Sequence, residues 1–148
     1  MAEDLDHALQ ALPHGEGFTF IDQLTELSAG QSASALYLVK GSEDFLAHHF
    51  PGDPMMPGVI LIEAIAQLAG IAAQNAGARS FANLRLAAVR QAKILQPARP
   101  GDQLEIQVSI TAAMGGLIQA DGQVSLVVDG DGGKTVVTKA QITLSGGE

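Results

Sequence analysis

The chain contains no cysteine and no tryptophan, and its aromatic side chains are five phenylalanines and one tyrosine. The absence of cysteine excludes a disulfide scaffold, a thiol nucleophile and a cysteine-ligated zinc site. So few aromatic side chains argue against a platform that stacks single-stranded nucleic acid. Basic residues number 8 and acidic residues 16, and the resulting net charge of −8 argues against a general nucleic-acid binder.

The size and composition are those of one globular domain. At 148 residues, 47% hydrophobic and 16% charged, we expect residues 1–148 to fold as a single domain. The acidic N-terminus lacks the apolar segment of a signal peptide. The most apolar stretch, 59–73, is interrupted by Glu63 and Gln67 and is shorter than the roughly 20 residues that span a bilayer. These features predict a cytoplasmic protein without membrane insertion.

One long helix is predicted over Pro57–Asn75. Pro57 suits a first helical turn because its missing N–H needs no partner there, and Gly77 suits the exit. Apolar side chains surround most of the segment, which indicates a helix buried on nearly all sides. Its polar or small exceptions share one stripe, at spacings i, i+4, i+7 and i+11: Glu63, Gln67, Gly70 and Gln74. Because one turn separates Gln67 from Glu63, we expect Gln67 to be its supporting hydrogen-bond partner.

Strand-like segments flank this helix. Turn residues at Ala29-Gly30, Gly115-Gly116 and 129–133 separate them, and residues 3–11 predict a short amphipathic helix. The predicted strands are 18–27, 32–39, 84–95, 104–110, 117–128 and 136–144. Two strands, a buried helix and four strands predict an α+β fold, with an antiparallel sheet wrapped around one long central helix. Such a sheet leaves an edge strand, so pairing with a second copy is expected.

Chemistry concentrates in the segment that leads into the helix. Three prolines between 51 and 57 stiffen the loop after His48-His49 and hold His49 in a fixed pose. The helix N-terminus that follows presents free N–H groups, which favour a developing oxyanion. Glu63, one turn further on, is a carboxyl among apolar neighbours and suits an acid. These parts suffice to remove a proton beside a carbonyl and expel a hydroxyl.

Three motifs carry a resemblance to a known family. "LPH" at 12–14, "HFPGDPMMPGVILIEAIAQLAG" at 49–70 and "PGD" at 100–102 resemble the hot-dog-fold 3-hydroxyacyl-[acyl-carrier-protein] dehydratases of bacterial type II fatty acid synthesis. The resemblance runs in order from about Leu12 to Leu144. It implies a hot-dog fold and the dehydration of (3R)-3-hydroxyacyl-[acyl-carrier-protein] to the trans-2-enoyl thioester.

The resemblance also implies roles for individual residues. His49 would be the catalytic base and Glu63 the catalytic acid, with the N–H of Gly58 binding the thioester carbonyl; Phe50, Val59 and Gln67 would complete the substrate site. Each site would combine the histidine of one protomer with the glutamate of the other, in a dimer or a trimer of dimers. No metal or organic cofactor is implied, since the substrate arrives on the phosphopantetheine arm of acyl carrier protein.

The chain departs from the family pattern at several positions. His48 replaces the usual glycine, and residues 13–18 lack the usual arginine. Five of the eight basic residues fall between 79 and 99, a local patch that suits an acidic carrier despite the negative total. The predicted carrier-docking residues are Arg85, Arg90, Lys93 and Arg99.

Other interpretations stay open from sequence alone. The same fold hosts acyl-thioester hydrolases, and the altered flanks suit a non-catalytic acyl-binding subunit of a specialised lipid or polyketide pathway. His14 is interpreted as a structural residue near the entrance, and a metal site at His48, His49 and Glu63 is disfavoured. Chain-length preference, pathway, and dimer against hexamer are not determined by the sequence.

Overall fold

The computed structural model describes residues 5, 6, 8, 9, 14–74, 82–127 and 134–147. Residues 5, 6, 8 and 9, within the segment predicted as a short helix, are helical. The long helix, α1, spans Gly58–Gln74. The strands are β1 Gln23–Ser28, β2 Ser32–Leu38, β3 Ala82–Ile94, β4 Gln103–Met114, β5 Leu117–Val127 and β6 Lys134–Gly147.

The six strands form one antiparallel sheet in the order β1-β2-β4-β5-β6-β3. Helix α1 contacts β2, β3, β4, β5 and β6, so the sheet wraps around it. Every residue of α1 from Leu61 to Ala73 is buried except Glu63. The predicted α+β hot-dog fold is therefore confirmed. The almost uniformly apolar helix is buried by the sheet that wraps around it.

Glycine permits the closest approach between helix and sheet. A Cβ on Gly122 of β5 would collide with the side chain of Ile65, which is fully buried in α1. The turn between β1 and β2 uses Gly30 at φ 75°, and the β4–β5 hairpin uses Gly115 at φ 60°. Both turns were predicted, because a positive φ favours glycine.

The first predicted strand begins too early. Residues 16–18 form a 3-10 turn, and β1 starts only at Gln23. The cause is a contact with the helix, since the Gln67 side chain bonds the N–H of Phe20 and the carbonyl of Phe18. Those backbone groups are therefore satisfied by α1 and not by a strand ladder.

Two other predictions differ in extent or lie outside the described residues. β4 continues to Met114, beyond the predicted end at 110, where its side chains become exposed and the alternation that marks a half-buried strand disappears. The predicted turn at 129–133 and the helix exit at Gly77 lie outside the described residues. In the part of the chain that the structure describes, no helix has the length and apolar character to cross a membrane.

Candidate active site

The loop before α1 holds His49 through its own backbone. His49 Nδ1 lies 3.0 Å from the carbonyl oxygen of Met55, and the Met55 N–H donates to the His49 carbonyl at 2.8 Å. The Phe50 and Asp53 backbones bond each other, which closes a tight turn between these anchors. Because a carbonyl only accepts, the Met55 contact assigns the ring proton to Nδ1 and leaves the Nε2 lone pair free to act as a base.

The same loop is tied to the segment after β3. The Met56 N–H donates to the carbonyl of Ala98 at 2.7 Å, and Asp53 forms an ion pair with Arg99. The imidazole of His49 is half-buried and stacks on Phe50, with ring centroids 4.1 Å apart. The predicted fixed pose of His49 is thus supported by contacts on both sides of the loop.

Helix α1 begins close to the sheet. A Cβ on Gly58 would collide with the side chain of Ile94, at the end of β3, so the glycine allows this approach. The Ile60 and Leu61 N–H groups both donate hydrogen bonds to the Pro57 carbonyl. The N–H of Gly58 has no intrahelical acceptor, as expected at a first turn, and is available to a ligand. Its predicted contact with a thioester carbonyl stays a prediction.

Glu63 projects from the second turn and is held by two side chains. Its Oε2 accepts a hydrogen bond from Gln67 Nε2 at 3.0 Å and lies 3.3 Å from His14 Nε2. Gln67 is 2% exposed and is itself bonded to Phe18 and Phe20. The supporting Glu63–Gln67 bond expected from their one-turn separation is confirmed, whereas a contact of Gln67 with substrate stays a prediction.

The polar stripe of α1 borders a pocket of about 220 Å³ between the helix and the sheet. Leu84, Leu86 and Leu144 line its opposite wall, with Arg85 at its margin. The helix residues of this pocket include the four of the predicted stripe, Glu63, Gln67, Gly70 and Gln74. The pocket therefore combines one carboxylate, on the polar stripe of the helix, with an opposite wall of three leucines.

Within the described part of one chain, His49 does not line the pocket that holds Glu63. His49, Phe50 and Val59 lie instead around the helix start, where Phe50 is 50% exposed and Val59 69% exposed. Among the described residues, the histidine that lies near Glu63 is His14, which sequence analysis interpreted only as a structural residue. Their separation of 49 residues gave no local signal for this contact.

The predicted docking cations are all exposed but occupy different settings. Arg85 borders the Glu63 pocket, whereas Lys93 lines a polar groove on the sheet. Arg99 pairs with Asp53. Arg85, Arg90 and Lys93 share β3, an edge strand, so three of the four lie along one side of the molecule.

A second titratable cluster, which the sequence did not indicate, supports the loop before His49. The Tyr37 hydroxyl donates to Glu43 Oε2 at 2.5 Å, and the N–H groups of Lys40 and Gly41 also donate to this carboxylate. Burial, with the carboxylate beside it, raises the pKa of Tyr37 far above its ordinary value. Burial alone would raise the pKa of Glu43, but the donated hydrogen bonds outweigh it and the pKa is lowered.

A metal site needs several His, Cys, Asp or Glu side chains close together. Within residues 5, 6, 8, 9, 14–74, 82–127 and 134–147, no three His, Cys, Asp or Glu side chains are grouped closely enough to hold an ion.

Solved structures share this fold. The dehydratase heterocomplex ApeI:P from Xenorhabdus doucetiae superimposes with a TM-score of 0.76 at 18% identity, over 95% of this chain and 91% of that chain. The smu.793 protein from Streptococcus mutans, bound to acetyl CoA, gives a TM-score of 0.63 at 17% identity, over 84% and 86% of the two chains. At identities this low, structural similarity shows only the fold. These comparisons therefore place the chain in one class, the hot-dog-fold proteins.

Sequence comparison is more specific. Residues 12–139 match the profile of the FabA-like domain. The chain is 35% identical to the 3-hydroxyacyl-[acyl-carrier-protein] dehydratase FabZ of Thiobacillus denitrificans, covering 86% of this chain and 88% of that protein. It is 32% identical to the FabZ of Bacillus subtilis, covering 98% and 99%. The chain therefore belongs to the FabA-like family.

Proposed function

We propose that this protein dehydrates (3R)-3-hydroxyacyl-[acyl-carrier-protein] to the trans-2-enoyl thioester in fatty acid biosynthesis, as one domain of residues 1–148 in the cytoplasm. The observation that carries the proposal is Glu63, a lone carboxylate beside an aliphatic wall in a chain that matches FabZ dehydratases along most of its length. The scheme needs no metal or organic cofactor, because both proton transfers are made by side chains.

The chemistry begins at His49. Its Nε2, left without a proton by the Met55 contact, takes the proton from C2 of the substrate. Negative charge develops on the thioester oxygen, where the N–H of Gly58 at the positive end of α1 stabilises it. Phe50 and Val59, exposed beside that N–H, contact the thioester end of the substrate.

Glu63 completes the reaction. It donates its proton to the hydroxyl on C3, the C3–O bond breaks, and water leaves while the electrons of the broken C2–H bond form the C2=C3 double bond. The cycle ends with a proton on His49 and none on Glu63, so exchange with solvent restores both. Gln67 holds the Glu63 carboxyl in place throughout.

The site requires two copies in this proposal. β3 is an edge strand that exposes Leu86, Val89 and Ile94, and the exposed Leu95 directly follows it. Pairing of two β3 edges would cover them and bring His49 of one protomer towards the Glu63 pocket of its partner. An interface between identical edges is isologous, so it forms two equivalent sites per dimer. A trimer of dimers is a further assembly of the same unit.

A direct test incubates purified protein with 3-hydroxyacyl carriers of several lengths and detects the enoyl product by its loss of water in mass spectrometry. We expect His49→Ala and Glu63→Gln each to reduce turnover by about 10²–10⁴-fold, the usual contribution of general acid–base groups. His48→Ala, at the exposed neighbouring histidine, is the matched control and should retain wild-type turnover.

The same assay separates the alternative functions. Release of a free thiol from the thioester would indicate an acyl-thioester hydrolase instead. Binding of the acyl chain without loss of water would indicate a non-catalytic subunit. Wild-type turnover in His49→Ala would remove the assigned mechanism.

Acyl carrier protein is the proposed partner, with Arg85, Arg90, Lys93 and Arg99 as the docking surface. Exposed cations steer an acidic partner through long-range attraction even on a chain of net negative charge. We expect the double change Arg90→Glu/Lys93→Glu to raise KM for carrier-linked substrate and to leave turnover of a small thioester mimic unchanged. Lys134→Glu, a charge reversal outside this surface, is the control. Equal loss on both substrates would contradict docking.

A further inference from the structure

The candidate acid Glu63 has a neighbour whose role the proposed function does not include. The Nε2 atom of His14 lies 3.3 Å from Glu63 Oε2, slightly beyond the usual N–H···O distance. Contacts of this kind are commonly long without substrate and tighten when it binds. Both side chains are partly buried, at 29% and 20% exposure, and both line the same pocket.

The position of His14 is fixed by its own segment. The Thr19 hydroxyl donates to the Gly15 carbonyl at 2.8 Å, and the Phe18 N–H donates to the same oxygen at 3.0 Å. The ring of His14 stacks on Phe18, with centroids 6.1 Å apart and planes 26° apart. The imidazole is therefore presented to Glu63 by a closed local turn.

The other ring nitrogen determines which tautomer fits. Nδ1 of His14 is buried and has no hydrogen-bond partner among the described residues. A buried N–H without an acceptor is unfavourable, so the tautomer with its proton on Nδ1 is disfavoured. The neutral ring with its proton on Nε2 places that proton towards Glu63 Oε2.

Two donors then converge on one carboxyl oxygen. Gln67 Nε2 already donates to Oε2 at 3.0 Å, so an Nε2–H from His14 makes Oε2 the acceptor of both. An oxygen that accepts two hydrogen bonds has no room for a proton of its own. The acidic proton of Glu63 therefore belongs on Oε1, which has no hydrogen-bond partner among the described residues.

We propose that His14 is a positioning residue: its Nε2–H, together with Gln67, holds Oε2 of Glu63 and so directs the acidic proton on Oε1 to the substrate. The proposal rests on the proposed function for its catalytic consequence, but not for the tautomer it assigns. His14 acts through Glu63 and exchanges no proton with substrate in this scheme.

Substitutions that separate the donor from the ring test the positioning role. His14→Phe keeps a ring on Phe18 but removes the donor, and we expect kcat to fall about 10–100-fold with KM nearly unchanged. His14→Gln restores an N–H donor at similar reach and should recover most of kcat. Phe18→Leu, which removes the stacked ring alone, should affect kcat less than His14→Phe. Thermal melts of all variants establish that the fold persists.

A second measurement is independent of turnover. Nitrogen-15 NMR of the imidazoles, assigned by the loss of signals in His14→Gln, reports which nitrogen of His14 carries the proton. A proton on Nδ1 would overturn the proposal, as would full kcat in His14→Phe or an equal loss in His14→Gln and His14→Phe. If the wild-type protein dehydrates no substrate, the proposed function fails. The NMR measurement still decides whether the Nε2–H of His14 donates to Glu63, because it does not depend on turnover.

Discussion

Hydrogen bonds to main-chain carbonyls and amides, more than ion pairs, orient the two candidate catalytic groups. The Met55 carbonyl accepts a hydrogen bond from one ring nitrogen of His49. The backbone groups of Phe18 and Phe20 bond the side-chain amide of Gln67, which in turn holds Glu63. Backbone groups have fixed positions once the fold forms, so they hold a side chain without the entropy cost of ordering a second long side chain. Each candidate group therefore retains one atom without a hydrogen-bond partner among the described residues, Nε2 of His49 and Oε1 of Glu63, for the substrate.

At the residue scale, the Tyr37–Glu43 pair gives stability a defined pH dependence. The lowered pKa of Glu43 contributes stability above the ordinary carboxyl pKa of about 4.5, and this is lost as the pH falls through the lower folded value. The raised pKa of Tyr37 acts oppositely: its contribution is present below the ordinary tyrosine pKa of about 10 and declines as the pH rises above that value.

Tyr37→Phe removes the shared hydrogen bond, and we expect it to lower the free energy of unfolding by about 1 kcal/mol at pH 7. The difference in unfolding free energy between wild type and this variant should narrow below pH 4.5, where Glu43 becomes protonated in the unfolded chain. It should also narrow above pH 10, where Tyr37 ionises in the unfolded chain. Urea unfolding across pH measures this. A constant difference at every pH would contradict the assigned pair.

At the element scale, the contact between α1 and the sheet depends on Gly122. Gly122→Ala directs a methyl group into the buried, stiff side chain of Ile65, and we expect a loss of about 1–3 kcal/mol in unfolding free energy. Ile65→Ala alone costs about 2–5 kcal/mol, because it opens a cavity. In that background the added methyl has room, so Gly122→Ala should cost little.

Denaturant unfolding of the four proteins in this cycle gives the coupling energy directly. Gly17→Ala is the control, since a Cβ there has open space, and it should change stability by less than about 0.5 kcal/mol. An equal cost of Gly122→Ala in both backgrounds would mean that the methyl group does not meet Ile65.

The elements also show which features the sequence predicts and which it cannot. The start of α1 was predicted within one residue, because a long apolar run after a proline is a local signal. The Glu63–Gln67 bond was predicted because both residues share one helix face. The contacts of Gln67 with Phe18 and Phe20, and of His14 with Glu63, join residues 47–49 positions apart. Such contacts arise only from tertiary packing and leave no local pattern in the sequence. The early start predicted for β1 was wrong for this reason, since Gln67 bonds the backbone of Phe18 and Phe20.

At the scale of the whole molecule, the separation of His49 from the Glu63 pocket within one chain leaves the proposed site incomplete without a second copy. A mixture of two inactive variants tests whether copies share sites. In a hybrid dimer of His49→Ala and Glu63→Gln, one site carries both substitutions, and the other combines an intact His49 with an intact Glu63. The proposed arrangement therefore restores one of the two sites.

Random reassortment makes half of the dimers hybrid, so we expect the mixture to regain about a quarter of wild-type turnover. The two variants carry different affinity tags, are unfolded and refolded together, and are purified over both tags, which leaves hybrids with about half of wild-type turnover. Each variant refolded alone is the control for residual activity. Hybrids as inactive as their parents would place His49 and Glu63 of each site on the same chain, because a site contained in one protomer cannot be repaired by its partner.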